Sequence, residues 1–194
     1  MDGRDPVLSV LEMGLLSLVL GVALSLRPWR MARGPLGSAA LGSAVLLPWL
    51  WLLPQKLPGG LQIQFSGASA LVLMLGWPLA VPVLVAVAVV VWLLGALPVE
   101  MVLSQLVWVG LVPATLALGV GAALRRWLPP NPFVYTLGRG FLGTAAAVFL
   151  AGVVYEVTYH LVVGVTLHEA LVARWLMAWG DAFITGMIAA VFVA

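Results

Sequence analysis

The hydrophobic positions of this chain fall into long apolar runs, and the polar positions gather in short breaks between them. Residues 7–26 form the first run, with Pro6 suited to a helix start. The second covers 36–53 and stops at Pro54. Residues 55–66 are polar and rich in Gly and Pro, so they read as a loop. The third run, 67–96, is apolar throughout but broken by Gly76-Trp77-Pro78 and by Pro82. The fourth covers 101–124 and is closed by Arg125-Arg126; Pro129-Pro130-Asn131-Pro132 cannot continue a helix. The fifth begins near Phe133 and stops at Gly164, a suitable C-cap. Thr166-Leu167-His168-Glu169 then reads as a capping box opening the sixth. The chain reaches Ala194 while still apolar, and a polar tail beyond it is expected.

A membrane helix needs about 20 apolar residues, which most of these runs supply. The arginines decide how to read the third run. If 67–96 were one kinked, tilted span, Arg27, Arg30 and Arg33 would lie on the opposite side of the membrane from Arg125, Arg126 and Arg139. If it breaks at Gly76-Trp77-Pro78 into a short helix and a full one, all six share the cytoplasmic side and the N-terminus is outside. The second reading satisfies the positive-inside rule and gives the breakers a purpose. A helix of about ten residues is ~15 Å long and must be buried among other helices or line a cavity. The expectation is an all-α, polytopic membrane bundle over 1–194. It has six to seven transmembrane helices, the third short or re-entrant.

Composition agrees with a membrane protein. The chain is 63% hydrophobic and 8% charged, with a mean hydropathy of +1.16, which excludes a soluble globular domain. Nine Trp suit interfacial anchoring. With no Cys there is no disulfide, thiolate metal site or thiol catalysis. No large polar stretch is left for an extramembrane domain, and the net charge of +2 does not point to nucleic acid. The first run lacks a small-residue cleavage site and is followed by arginines, so it reads as a retained helix rather than a signal peptide.

Few ionisable groups sit where lipid would surround them: Glu12, Glu156, His160 and Asp181. Asp181 lies near the middle of the last run, where an unpaired carboxylate costs roughly 2.5–3.5 kcal/mol on insertion scales. It must point into the bundle toward a hydrogen-bond donor from another helix, as structure or as part of a substrate path. Glu156 and His160 are four apart and share a helix face. That spacing suits two metal ligands, a buried ion pair, an acid/base relay, or a structural pair near the outer interface. Glu12, little more than a turn inside its helix end, can snorkel to water. His168 reads as an exposed helix-end histidine, and Glu169 as a cap. Ser17, Gly21 and Ser25 recur every fourth residue, with Gly14 one turn earlier. Such a stripe permits close helix approach, either within the bundle or to a partner helix. No catalytic constellation is present: the Ser and Thr residues lack a His–Asp arrangement, and Gly138–Gly143 lacks the strand–helix context of a phosphate loop. The chain is not expected to be an enzyme or to need a cofactor.

Three stretches together resemble the substrate-binding membrane permeases of energy-coupling-factor (ECF) ABC transporters, in the cobalt/nickel branch and its less characterised relatives. Ser66-Gly67-Ala68-Ser69-Ala70 through Gly76-Trp77-Pro78-Leu79-Ala80, after Pro58-Gly59-Gly60, resembles the family's Gly-Gly-rich short helix ending in Leu-Gly-Pro-Trp-Ala. Trp108-Val109-Gly110-Leu111-Val112-Pro113 resembles its Asn-Met-Gly-Val-Val-Gly-Pro stretch. Gly180-Asp181-Ala182-Phe183-Ile184-Thr185-Gly186 resembles its terminal Gly-Glu-Gly/Ala-Leu-Ile-Thr-Gly segment.

The resemblance implies a permease-like component for uptake of a small solute or metal ion. It would reside in the bacterial inner membrane and work with separate ATPase and coupling subunits. It also locates substrate contacts in the outer loop around Gln62, Gln64 and Ser66. The departures are specific. Metal-transporting members begin Met-His-Ile-Pro-Asp-Gly, and the terminal amine and that histidine supply nitrogen ligands. Here the chain begins Met1-Asp2-Gly3-Arg4. The family's second histidine aligns with Gln64, and its asparagines with Gln105 and Trp108. Two imidazoles are thus replaced by groups that bind first-row divalent metals weakly. No metal is expected; if one binds, Glu156 and His160 are its first candidate ligands. The candidate substrate path comprises Gln64, Glu156, His160 and Asp181, and the candidate docking face for a partner helix comprises Ser17, Gly21 and Ser25. The rival expectation is a non-catalytic accessory subunit of a larger membrane complex, contacting lipids and other membrane subunits on the same fold.

Overall fold

Proline opens three of the helices, where its missing N–H interrupts no hydrogen bond. Pro6 begins α1 (Pro6–Ser25), Pro35 begins α2 (Pro35–Leu52), and Pro78 stands in the first turn of α4 (Trp77–Gly95). Between α2 and α4 lies α3 (Ala68–Leu75), only eight residues long. The others are α5 (Val99–Trp127), α6 (134–163) and α7 (Leu167–Val193). The computed structural model describes residues 6–53, 55–56, 62–129, 131–163 and 167–193, without the side chains of residues 6, 55–56, 62–63, 159–163, 167, 169 and 192–193. Gly164 and Thr166, the expected cap and capping-box residues, lie outside the described residues. Among the described residues the non-helical structure includes a two-residue antiparallel ladder, with Gln55 opposite Ile63 and Lys56 opposite Gln62, within the loop expected over 55–66.

Among the described residues five helices, α1, α2, α4, α5 and α6, are long and apolar enough to cross a membrane, which marks the chain as a membrane protein. The third apolar run does not form one span. Gly76, at φ +78, ends α3 and begins α4, and the chain reverses there. Only glycine adopts that backbone without strain.

The helix ends fix the direction of each segment. Leu52 at the end of α2 lies against Gly95 at the end of α4. At the opposite end, Met31 reaches Gly76, and Pro35 shares a recess with Met74, Tyr135 and Ala189. Arg139 packs on Gly121, one turn before Arg125 and Arg126. All six arginines singled out in the sequence therefore gather at one end of the bundle. Cysteines placed at Gly34 and Arg126 should accordingly react with a membrane-impermeant thiol reagent from the same side. Labelling from opposite sides would contradict this packing.

The core runs through α3, α4 and α5, with Trp51, Leu75, Leu84 and Leu111 fully enclosed. The α1 span is 11% buried and the α2 span 17%, against 44% for α4, α5 and α6, so the first two helices are peripheral. Two helices contain wide π-helical turns, Leu106–Leu111 in α5 and Val134–Leu142 in α6.

Candidate functional site

The loop between α2 and α3 enters the bundle from the end where Leu52 and Gly95 meet. It reaches α3 deep inside, because Ser66 bonds Val109 and Asp181, which lie in the middle of α5 and α7. Asp181 lies 14 residues into α7, ~21 Å along its axis. Its carboxylate accepts hydrogen bonds from the Ser66 N–H (3.0 and 3.2 Å to its two oxygens) and the Gly67 N–H (3.0 Å). Those amides precede the first turn of α3, where helix N–H groups have no partner of their own and the macrodipole is positive. A carboxylate supplied by another helix meets both needs. Asp181 is 1% exposed, so the expectation that it points inward toward a donor is met by backbone N–H groups.

Several other polar groups around this buried turn have a comparable local cause, while the buried Ser69 hydroxyl in the first turn of α3 has no hydrogen-bond partner. Pro113 has no N–H to offer the Val109 carbonyl four residues earlier. The Ser66 hydroxyl donates to that carbonyl instead. The Trp51 carbonyl, at the end of α2, accepts from the side-chain amides of Gln64 and Gln105, each at 3.1 Å. The Trp51 indole donates to the Ser66 carbonyl at 3.1 Å. Gln64 and Gln105 thus close the end of α2. Gly67 takes a left-handed backbone, φ +66, and an added Cβ would stand 2.6 Å from Leu47 Cδ1. Gly67→Ala should destabilise the protein by about 1–2 kcal/mol from backbone strain, before any displacement of Leu47. Thermal unfolding in detergent checks this against Gly42→Ala, where an added Cβ meets nothing within 4 Å.

Beside this turn a second polar array crosses four helices. Glu12 on α1 is 5% exposed and accepts from the Trp108 indole at 2.9 Å, so it does not snorkel to water. Trp108 meets the Tyr155 ring edge-on at 5.5 Å. The Arg174 guanidinium lies over Tyr155, 4.6 Å from its centroid, and its Nε pairs with Glu156 at 2.9 Å. Gly152 makes room for this, since an added Cβ would lie 2.9–3.0 Å from the stem of Arg174. The partner of Glu156 is therefore an arginine of α7. Arg174 is not among the ionisable groups singled out in the sequence, although it lies in the same apolar run as Asp181 and the same signal marks it. His160 is one turn further along α6, and its side chain lies outside the described residues. His168 is exposed, as expected.

Gln64, Ser66, Trp108, Tyr155 and Arg174 line a cavity of about 20 Å³ between the two arrays. That is room for one or two waters at ~10–15 Å³ each. Of the proposed substrate-path residues, the structure brings Gln64 to this cavity and sets Asp181 and Glu156 beside cavity residues, bonded to Ser66 and Arg174. Among the described residues no group of three His, Asp or Glu could hold a metal ion.

The small-residue stripe of α1 faces outward. Ser17 and Ser25 turn their hydroxyls back onto the Gly14 and Val22 carbonyls, and a Cβ added at Gly14 or Gly21 would meet nothing within 4 Å. Packing inside its own bundle, one of the two expected uses of the stripe, is excluded.

Comparison with protein-family models, curated proteins and solved structures gave no match.

Proposed function

We propose that the chain is the membrane-embedded capture component of an uptake system for a small solute or ion, working with separate coupling and ATPase subunits. The observation that carries this reading is the buried start of α3. Non-helical backbone deep in a membrane is tolerated only inside protein or along a cavity, and transporters use such broken helices to form sites near the bilayer midplane. The Ser66–Gly67 turn has that form and adjoins a cavity below the outer loop. The resemblance to ECF permeases supports the same reading. The membrane is then the bacterial inner membrane, with the arginine-bearing end in the cytoplasm. The outward stripe Ser17, Gly21 and Ser25 is the surface for a partner helix.

The cavity wall bears on the solute. Arg174 lines it, which disfavours a bare cation, and Gln64 is already engaged at the end of α2. The purified chain should therefore hold no stoichiometric nickel or cobalt, measured by elemental analysis after purification without added metal. If such an ion were found, Glu156→Gln and His160→Ala should remove it.

A second reading rests on a specific observation. The cavity is water-sized, and its neighbouring acids and amides bond within the protein, as expected of an accessory subunit that binds no solute. Affinity purification in mild detergent, followed by mass spectrometry of co-purifying chains, separates the two. ATPase subunits and a second membrane protein support the uptake component. Stoichiometric recovery with a membrane enzyme supports the accessory role.

A further inference from the structure

A larger recess, of about 260 Å³, opens in the half of the bundle nearest the six arginines. It exists because α3 is short. On one side α2 packs against α3 and α4; on the other α6 and α7 pack together and against α3. The slot left over α3 is lined by Leu36 and Ala39 of α2, Ala70 of α3, Tyr135 of α6, and Thr185 and Ile188 of α7. It is apolar apart from Tyr135 and the buried Thr185 hydroxyl, which has no hydrogen-bond partner.

The rim is cationic. Six of the nine basic residues belong to segments 27–33 and 125–139, and neither segment contains an acid. Arg139 stacks on Tyr135 at 5.4 Å, so its guanidinium stands beside the recess, and its buried Nε has no hydrogen-bond partner. Arg33 precedes by two residues Pro35, which also lines the slot.

An apolar slot with guanidinium groups nearby, for which no ion pair is seen among the described residues, matches a molecule with a hydrocarbon chain and an anionic head. A helix does not fit: at ~10 Å across, less than one turn would fill the recess. We propose that the recess binds an anionic phospholipid, one acyl chain lying over α3 between α2 and α7 and the phosphate meeting Arg139 and Arg33. Basic pockets between helices on the cytoplasmic side suit such head groups. The lipid would brace α3 from below, while Asp181 holds it from above.

The test uses the full chain in dodecyl maltoside with added phosphatidylglycerol or phosphatidylcholine, read by native mass spectrometry and thermal unfolding. One phosphatidylglycerol should be retained per chain and should raise Tm, and phosphatidylcholine should do neither. Arg139→Gln should weaken retention about fivefold, and the exposed Arg33→Gln should act in the same direction without threatening the fold. Ala39→Phe, which fills the slot, should abolish retention. Equal retention of both lipids, or unchanged phosphatidylglycerol binding in all three variants, would overturn the proposal. So would cross-linking of an Ala39→Cys variant to a partner polypeptide in native membranes, which would make the slot a protein contact.

Discussion

Asp181→Leu should destabilise the bundle by about 2–4 kcal/mol, because it strands two buried N–H donors at once. Each unsatisfied buried donor costs about 1–3 kcal/mol, with membrane interiors toward the lower end. Leucine is bulkier than aspartate, so crowding in this enclosed site (Asp181 is 1% exposed) adds to the loss. Asp181→Asn should cost about 1 kcal/mol. Its amide oxygen can take the place of the oxygen that accepts from Gly67 and Ser66, but its NH₂ then faces the Ser66 N–H that the second carboxylate oxygen accepts. Thermal unfolding in detergent should therefore rank wild type above Asn and Asn above Leu. If Leu were as stable as wild type, the two hydrogen-bonded amides would contribute nothing. If the Asn variant folds but its assembled complex fails in uptake, the negative charge has a role beyond holding α3.

The second large effect belongs to the Arg174–Glu156 pair. Removing one member of a buried pair strands the other's charge, at about 3–5 kcal/mol when burial is complete. Here the Arg174 side chain is 23% exposed and that of Glu156 9%, so about 1–3 kcal/mol is expected for Arg174→Leu. That substitution also takes the cation from the face of Tyr155. Replacing both partners with leucine should recover most of the loss, since an apolar pair of similar volume needs no compensation. A double-mutant cycle on unfolding free energies gives the coupling. Strict additivity of the two single losses would mean the pair does not interact in the folded protein.

The fold was legible where a residue type forbids an alternative. Gly76-Trp77-Pro78 interrupts an apolar run that would otherwise read as one span, and the chain turns there. The arginine asymmetry gave the direction of the helices, since only a broken third run gathers both basic segments at one end. Asp181 was legible for the same reason: lipid cannot accept it. What escaped the sequence depends on register between helices. The four-residue spacing of Glu156 and His160 says that they share a face, but not which neighbour meets it. Arg174 meets Glu156 across the close approach at Gly152. Glu12 looked able to reach water because its depth was readable and its rotation was not; it turns inward to Trp108. The wide turns in α5 and α6 were also hidden, because no single residue type specifies them. Pro113 was in view, yet its consequence, a Val109 carbonyl left for Ser66, appears only when the loop is brought to α5.

Hydrogen exchange at Ser66 and Gly67 tests the buried start of α3 most directly. These amides precede the helix and lie in a loop rich in glycine and proline, so without Asp181 they would exchange quickly. Bonded to its carboxylate deep in the bundle, they should exchange as slowly as the core of α4, and Asp181→Leu should release them while α4 stays protected. Rapid exchange at both amides in the wild-type protein, with α4 protected, would contradict the capped, buried turn on which the proposed function rests.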